Sequence, residues 1–355
     1  MIAYEIRGVD PSDEDQLLSV ARHLDTVNLP DDREAIREII DLSQRSFAGD
    51  VKDPKKREYV FVLVDAGQKQ VIGTSMIIGQ LGRRDAPYIY FDVIEEQKYS
   101  HTLDKHFYHT LLRIGYSYSG PTELGGLIVL PTYRNAPERL GRIISSVRFM
   151  FIAAHRSLFR DQILAELLPP LESDGTSHLW EALGRHFTGL SYAEADFLSK
   201  KNKEFIKSLF PDGVVYASVL PQAAQDVIGK VGAQTRGVEK LLKRIGFRFA
   251  RRIDPFDGGP HFTAPTDEIT LVAKTRPARI AELLAPGPSG GPKSAPSTTS
   301  KSKGLLAKEL PRSPFFRAVL SELEGRGEGD VAVDRDAAEH LEVGPGDDVI
   351  TLPLD

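Results

Sequence analysis

At 355 residues, with 41% hydrophobic and 27% charged residues, the chain has a globular composition and is long enough for about two domains, which excludes disordered, collagen-like and fibrous classes. Lys and Arg number 45 against 50 Asp and Glu, a net charge of −5, so no overall basic field exists to hold a nucleic-acid backbone. Cysteine is absent, which removes disulfides, thiolate nucleophiles and every cysteine-ligated zinc or iron–sulfur site.

In chain order, Met1 to Arg7 reads as an edge strand and lacks the basic and apolar regions of a signal peptide, so a cytoplasmic location is expected. Tyr59 to Asp65 and Val71 to Ile78 flank Ala66-Gly67-Gln68-Lys69, the pattern of an antiparallel hairpin. Leu124 to Leu130 reads as a strand that runs into a loop marked by Pro131 and Pro137. A helix is expected next, to about His155, because Leu140, Ile143, Ile144, Val147, Phe151 and Ile152 recur near the 3.6-residue period. Its apolar run Phe149 to Ala154 is far shorter than the ~20 residues that span a bilayer, so no membrane partner is expected.

Ser177 to Leu183 reads as a short helix ended by Gly184, and Ala193 to Phe197 starts another. Ser218 to Ile228 is expected to be helical apart from Pro221. Thr235 to Ile245, closed by Gly246, leads into a strand at Phe247 to Ala250 and then the loop Phe256-Asp257-Gly258-Gly259-Pro260. Lys240, Lys243, Arg244, Arg248, Arg251 and Arg252 make one local basic stretch, which reads more simply as a solvated face than as a phosphate site.

Residues 285–302 are dominated by Pro, Gly and Ser and have no apolar periodicity. They divide a body of residues 1–282 from a tail of residues 314–355, with 283–313 as a flexible linker. In the tail, Phe315 to Leu320, Val331 to Val333 and Val349 to Leu352 read as strands around a helix at Asp336 to Leu341. So small a piece makes a poor core, and it is expected to dock on the body or on a partner subunit.

A strand, a loop and then an amphipathic helix can bind a pyrophosphate, since N–H groups and the dipole at a helix start favour anions. Arg134 and Gly141 bracket the candidate turn. An ordinary helix start fits the same residues.

Arg148-Phe149-Met150-Phe151-Ile152-Ala153-Ala154, Ala224 to Val231 and Phe256-Asp257-Gly258-Gly259-Pro260 closely resemble the arginine N-succinyltransferase family of bacterial arginine catabolism. Trp180, Leu183-Gly184, Ala195 to Leu198 and Gly344 to Val349 fit the same pattern in order. The resemblance implies an α+β, GNAT-like acyl-CoA N-acyltransferase fold, a mixed and mostly antiparallel sheet flanked by helices, here with a small C-terminal β-rich appendage. It also implies succinyl-CoA as co-substrate, the α-amino group of L-arginine (or ornithine) as acceptor, no resident cofactor or metal, and a homo-oligomer or a pairing with a homologous subunit.

By the same resemblance, Leu127, with Ile128 and Val129, binds succinyl-CoA through the main chain of a splayed strand. A buried strand leucine is compatible with that role. The family's catalytic His follows an Ile-Gly-x-Val stretch, and here Gly232 stands in its place. His261, directly after the Gly-Gly loop, is the candidate substitute, the alternative being an exposed loop histidine. A guanidinium asks for a planar carboxylate, which nominates Asp226 and Asp257, with Gly258 and Gly259 alongside and Asp196 in reserve. Each also has a plain structural reading: Asp257 as a turn former and Asp226 as a helix-surface carboxylate. Arg148 is a candidate for the succinyl carboxylate, though a helical Arg is ordinarily a surface or ion-pair residue. The loss of the His leaves two alternatives: a non-catalytic subunit, or an N-acyltransferase for a different amine.

Overall fold

The computed structural model describes residues 2–22, 29–172, 174–284, 301–327 and 329–354. Its strands in chain order are β1 (Tyr4–Gly8), β2 (Glu58–Asp65), β3 (Gln70–Ile78), β4 (Tyr88–Ser100), β5 (Lys105–Ser117), β6 (Thr122–Val129), β7 (Gln162–Glu166) and β8 (Val214–Tyr216). They continue as β9 (Arg248–Ile253), β10 (Pro260–Pro265), β11 (Arg276–Leu284), β12 (Lys301–Glu309), β13 (Phe316–Gly325), β14 (Asp330–Asp334) and β15 (Asp348–Pro353). Three helices matter most below: α1 (Glu14–Ala21), α2 (Arg33–Phe47) and α3 (Leu140–Ala154). The class is α+β, with mostly antiparallel pairing.

Two compact units share the chain. The first comprises Met1–Gly79, Leu124–Phe159 and Asp267–Asp355. Here β2 is apolar from Tyr59 to Leu63 and buried throughout, as a strand covered on both faces must be. The hairpin to β3 turns where the Asp65 carboxylate accepts the N–H groups of Gly67 and Gln68, both at 3.0 Å. Asp32 caps α2 by accepting the Ala35 N–H at 2.8 Å, and Ile36 and Ile40, one turn apart, carry its buried face.

The C-terminal strands of this unit depart from the expected linker and appendage. β13, β12, β15, β11 and β14 pair in turn, and β14 returns to β13, so five strands close a ring around Ile280, Leu306, Val319, Val333 and Leu341. The β-rich piece therefore starts at Arg276, and Lys301–Glu309, expected to be linker, is a strand. The apolar run Leu305-Leu306-Ala307 outweighs the polar flank that suggested disorder. Residues 285–300 of the expected linker lie outside the described residues. β13 pairs antiparallel with β1, and there Glu5 accepts from Arg317 at 2.6 Å and meets His340 at 2.8 Å.

The second unit comprises Gln80–Glu123 and Arg160–Thr266. In it β7, β10, β9, β4, β5 and β8 lie in that order. Trp180 centres the core, stacked on Phe256 with ring centroids 5.0 Å apart and donating Nε1–H to the Leu190 carbonyl at 3.0 Å. Gly184 does not end this helix. The helix runs through residues 178–188 and stops at Gly189, in the left-handed region at φ 71°. Gly184 is needed for space instead, because a Cβ there would lie 2.3 Å from the Trp180 ring. The expected helix at 218–228 is shorter, Gln222–Val227, starting directly after Pro221. Among the described residues, no helix is long and apolar enough to cross a membrane.

Candidate functional site

The first unit carries the expected acyl-donor residues. Gly126 sits in mid-strand at φ 55°, its carbonyl accepting the Thr74 hydroxyl at 2.8 Å, and a Cβ there would lie 2.6 Å from the Met76 sulfur. Only glycine fits this break in β6. The parallel ladder to β7 runs through Thr122 and Glu123. Leu127 is half-buried, while Ile128 and Val129 are buried. Beyond the strand, exposed Arg134 donates Nε–H to the Val129 carbonyl at 3.0 Å. Arg139, at φ 58°, starts α3 without a side-chain cap, and exposed Gly141 has open space where a Cβ would be. Among the described residues the Leu140 and Gly141 N–H groups meet no acceptor, as at a helix start left open.

The second unit gathers an acidic cluster around one histidine. His261 is neither exposed nor in a loop: it lies on β10, fully buried, opposite Glu166 of β7 in the antiparallel register. β10 begins at Pro260, the last residue of the expected loop, and its pairing with β7 on one side and β9 on the other encloses Pro260, His261 and Phe262 alike. Its Nδ1 meets the Tyr88 hydroxyl at 2.8 Å. Among the described residues its Nε2 has no hydrogen-bond partner, although Glu166 Oε1 is 3.3 Å away, because the geometry between them does not align a hydrogen bond. Asp254, which follows β9, completes the group: ligand atoms of Glu166, Asp254 and His261 all lie within 4.8 Å of one another.

Burial dominates the electrostatics. It lowers the His261 pKa to about 4, with Arg252 and Lys203 adding to the fall and Asp254 opposing it. Burial also raises the Glu166 and Asp254 pKa values, and that of Asp257 well above the usual carboxylate range, with Asp254 adding to the last. Glu166 still keeps a third of its side chain in solvent, which makes it the outer rim of the cluster, Asp254 the wall and His261 the floor. The Tyr88 phenol is raised by burial, so it remains a neutral partner for the imidazole.

The expected acceptor residues divide. Asp257 is buried and its carboxylate accepts the Gly259 N–H at 2.7 Å, the turn-forming role; Gly258, at φ 83°, passes its carbonyl to the Gly229 N–H at 2.9 Å. Asp226 is exposed on its short helix and accepts from Gln222 at 2.8 Å. Asp196, half-buried, adds to the rise at Asp257, whereas Asp226 is not among the charges acting most on the cluster. Glu166, Asp254 and Tyr88 escaped the sequence reading. Glu166 closes an otherwise apolar strand, Ile163-Leu164-Ala165-Glu166, which was the available signal. The three-residue set Glu166, Asp254 and His261 has donor atoms suited to a divalent cation as well as to an organic one.

Gly232 is closed to any side chain on this backbone. Its N–H donates to the Leu168 carbonyl at 2.8 Å, and a Cβ would fall 2.7 Å from the Pro169 carbonyl oxygen.

A family profile described as arginine N-succinyltransferase beta subunit matches residues 4–271. Arginine N-succinyltransferase subunit beta of Pseudomonas aeruginosa is 32% identical over 274 residues, covering 76% of this chain and 79% of that protein. Arginine N-succinyltransferase of Escherichia coli is 33% identical over 281 residues, covering 78% and 80%. The solved structure of arginine/ornithine succinyltransferase subunit AI from Pseudomonas aeruginosa superposes with a TM-score of 0.80 at 27% identity, over 99% of each chain.

Proposed function

Because this chain belongs to the arginine N-succinyltransferase family, we propose that it transfers the succinyl group of succinyl-CoA to the α-amino group of L-arginine, or of ornithine, by direct attack. The observation that carries the chemistry is a buried imidazole with an unpartnered Nε2 between two carboxylates.

Glu166 and Asp254 attract the α-ammonium and hold it at His261. With its own proton on Nδ1, donated to the Tyr88 oxygen, His261 presents the Nε2 lone pair. The amine attacks once it has lost a first proton to the solvent-touching Glu166 side. Its nitrogen bonds to the thioester carbon, the C–S bond breaks, and the second amine proton passes to Nε2 and then to the departing CoA sulfur. An imidazole held near pKa 4 is a weak base but a strong acid once protonated, which suits the last transfer. The main chain at Leu127, Ile128 and Val129 would hold the pantetheine arm, with Arg134 and the open helix start at Gly141 toward the phosphates. Asp257, Gly258 and Gly259 would act as the turn that sets Asp254, and Asp226 as a secondary acidic group for the guanidinium.

Gly232 favours a second reading, a non-catalytic subunit that assembles with an active homologous chain. Thiol release decides. The purified protein with succinyl-CoA and arginine is expected to liberate CoA thiol; CoA binding without release, for arginine, ornithine and a panel of other amines, would establish the subunit reading instead.

A further inference from the structure

Arg148 is a buried charged residue of the first unit for which the described residues supply no counter-charge. It lies on α3 and is 2% exposed. Its Nη2 donates to the Ser145 hydroxyl at 2.7 Å, its Nε to the Ser145 carbonyl at 3.3 Å and its Nη1 to the Gly125 carbonyl at 3.4 Å. The Phe149 ring lies 6.0 Å away. All three acceptors are neutral, and among the described residues no carboxylate acts on the guanidinium. A guanidinium offers five N–H donors, so two are left over. Burying such a charge without an anion is unfavourable, and the ordinary resolutions, an ion pair or exposure at the surface, are both missing here. Burial alone lowers the Arg148 pKa, to about 9, with no carboxylate opposing the fall.

The position of the fork matters as much as its isolation. Nη1 reaches β6 at Gly125, two residues before Leu127 and two after Glu123 of the ladder to β7. Gly125 and Gly126 carry no side chain, and both are half-exposed, so the strand puts only main chain near the guanidinium. An acyl chain lying against β6 at Leu127 needs a partner only if its far end is charged.

We infer that Arg148 receives the terminal carboxylate of the acyl group and so selects a dicarboxylic monothioester over a neutral acyl-CoA. The inference rests on the acyl-donor reading of β6 above, and it names the specificity-determining residue for the donor. A carboxylate offers a planar pair of acceptors that matches two guanidinium N–H groups, whereas an acetyl or propionyl group leaves the charge buried and unmatched.

The test is binding, measured without any acceptor amine so that turnover is not needed. Calorimetry on the full chain with succinyl-CoA and with acetyl-CoA is expected to show a preference for succinyl-CoA of about 10- to 100-fold, the range for a charge-assisted pair. In Arg148→Met this ratio should collapse toward one. Arg148→Lys, which keeps the charge but loses the fork, should fall between the two and serves if the methionine variant fails to fold. Equal affinity of the wild-type protein for both thioesters, or a preference retained in both variants, overturns the assignment. Neither result bears on thiol release with arginine, and a protein that binds no CoA compound at all would refute the donor reading and this inference together.

Discussion

His261 and Glu166 face each other across β10 and β7, Nε2 3.3 Å from Oε1, yet no hydrogen bond joins them. A buried donor or acceptor left open beside a carboxylate is unfavourable, so the arrangement is suited to a third group that bridges them. In the proposed reaction that group is the amine. The same gap sets how the protein should respond to pH.

In the folded chain burial holds His261 at about 4, against 6.5 for the free side chain. Between those values the unfolded chain binds a proton that the folded chain does not, so stability should rise with pH through the window from about 4 to 6.5 and level off above it. The full excursion is on the order of 3 kcal/mol. Glu166, Asp254 and Asp257 act in the opposite sense: their raised pKa values favour the folded state below the ordinary carboxylate range, and that advantage is lost as pH climbs through the raised values. Chemical denaturation of wild type and His261→Gln across this range separates the two, since only the difference between the curves belongs to the histidine. A difference that does not change with pH would contradict a buried neutral imidazole.

Glu166→Gln and Asp254→Asn keep size and remove charge. Each is expected to raise the KM for arginine about tenfold or more, with the KM for succinyl-CoA within about twofold of wild type. A uniform loss in kcat with both KM values unmoved would mean the carboxylates only support the fold. Because the same side chains could ligate a divalent cation, EDTA is a necessary companion measurement. Turnover should survive it; a loss restored by zinc or manganese would reassign the cluster as a metal centre.

Gly184→Ala examines the core of the second unit. The added methyl would meet the Trp180 ring at 2.3 Å, and the ring is held by Phe256 on its face and by the Leu190 carbonyl at its edge. Overpacking of this kind costs about 1–3 kcal/mol, visible as a lower Tm. An unchanged Tm would show that the indole is free to shift.

Much of this architecture was legible from local pattern. The β2–β3 hairpin, β6 and α3 follow from alternation, apolar runs and a helical stripe, each readable within a short contiguous stretch of chain. The site was not. Glu166, Asp254, His261 and Tyr88 come from four strands or strand ends separated by up to 173 residues, and only long-range pairing brings Tyr88 to His261. Asp257 and His261 drew notice for lying in or beside the Asp-Gly-Gly motif. The structure makes the aspartate a turn former and the histidine a buried strand residue, because the pairing of β10 with strands on both sides, not motif membership, decides what is enclosed. The five-stranded ring was hidden for a related reason: its closing contact, β12 to β13, begins at the end of a segment whose Pro, Gly and Ser content suggested linker.

The substitution that most sharply divides the readings of this chain is Gly232→His. If position 232 is where the resemblance puts the family's imidazole, supplying one there should speed the reaction. The backbone argues otherwise, for the Pro169 carbonyl oxygen stands 2.7 Å from where a Cβ would be, and the Gly232 N–H is tied to Leu168 at 2.8 Å. Accommodating a side chain means moving main chain rather than a flexible side chain, so the variant should lose about 1–3 kcal/mol of stability and gain no rate. His261→Ala, by contrast, should lower kcat about 10²- to 10⁴-fold, the usual worth of a proton-transfer group. The two measurements constrain each other. A faster Gly232→His enzyme together with an unimpaired His261→Ala enzyme would place the proton transfer at the family position after all, and would leave the buried cluster a structural feature of the second unit.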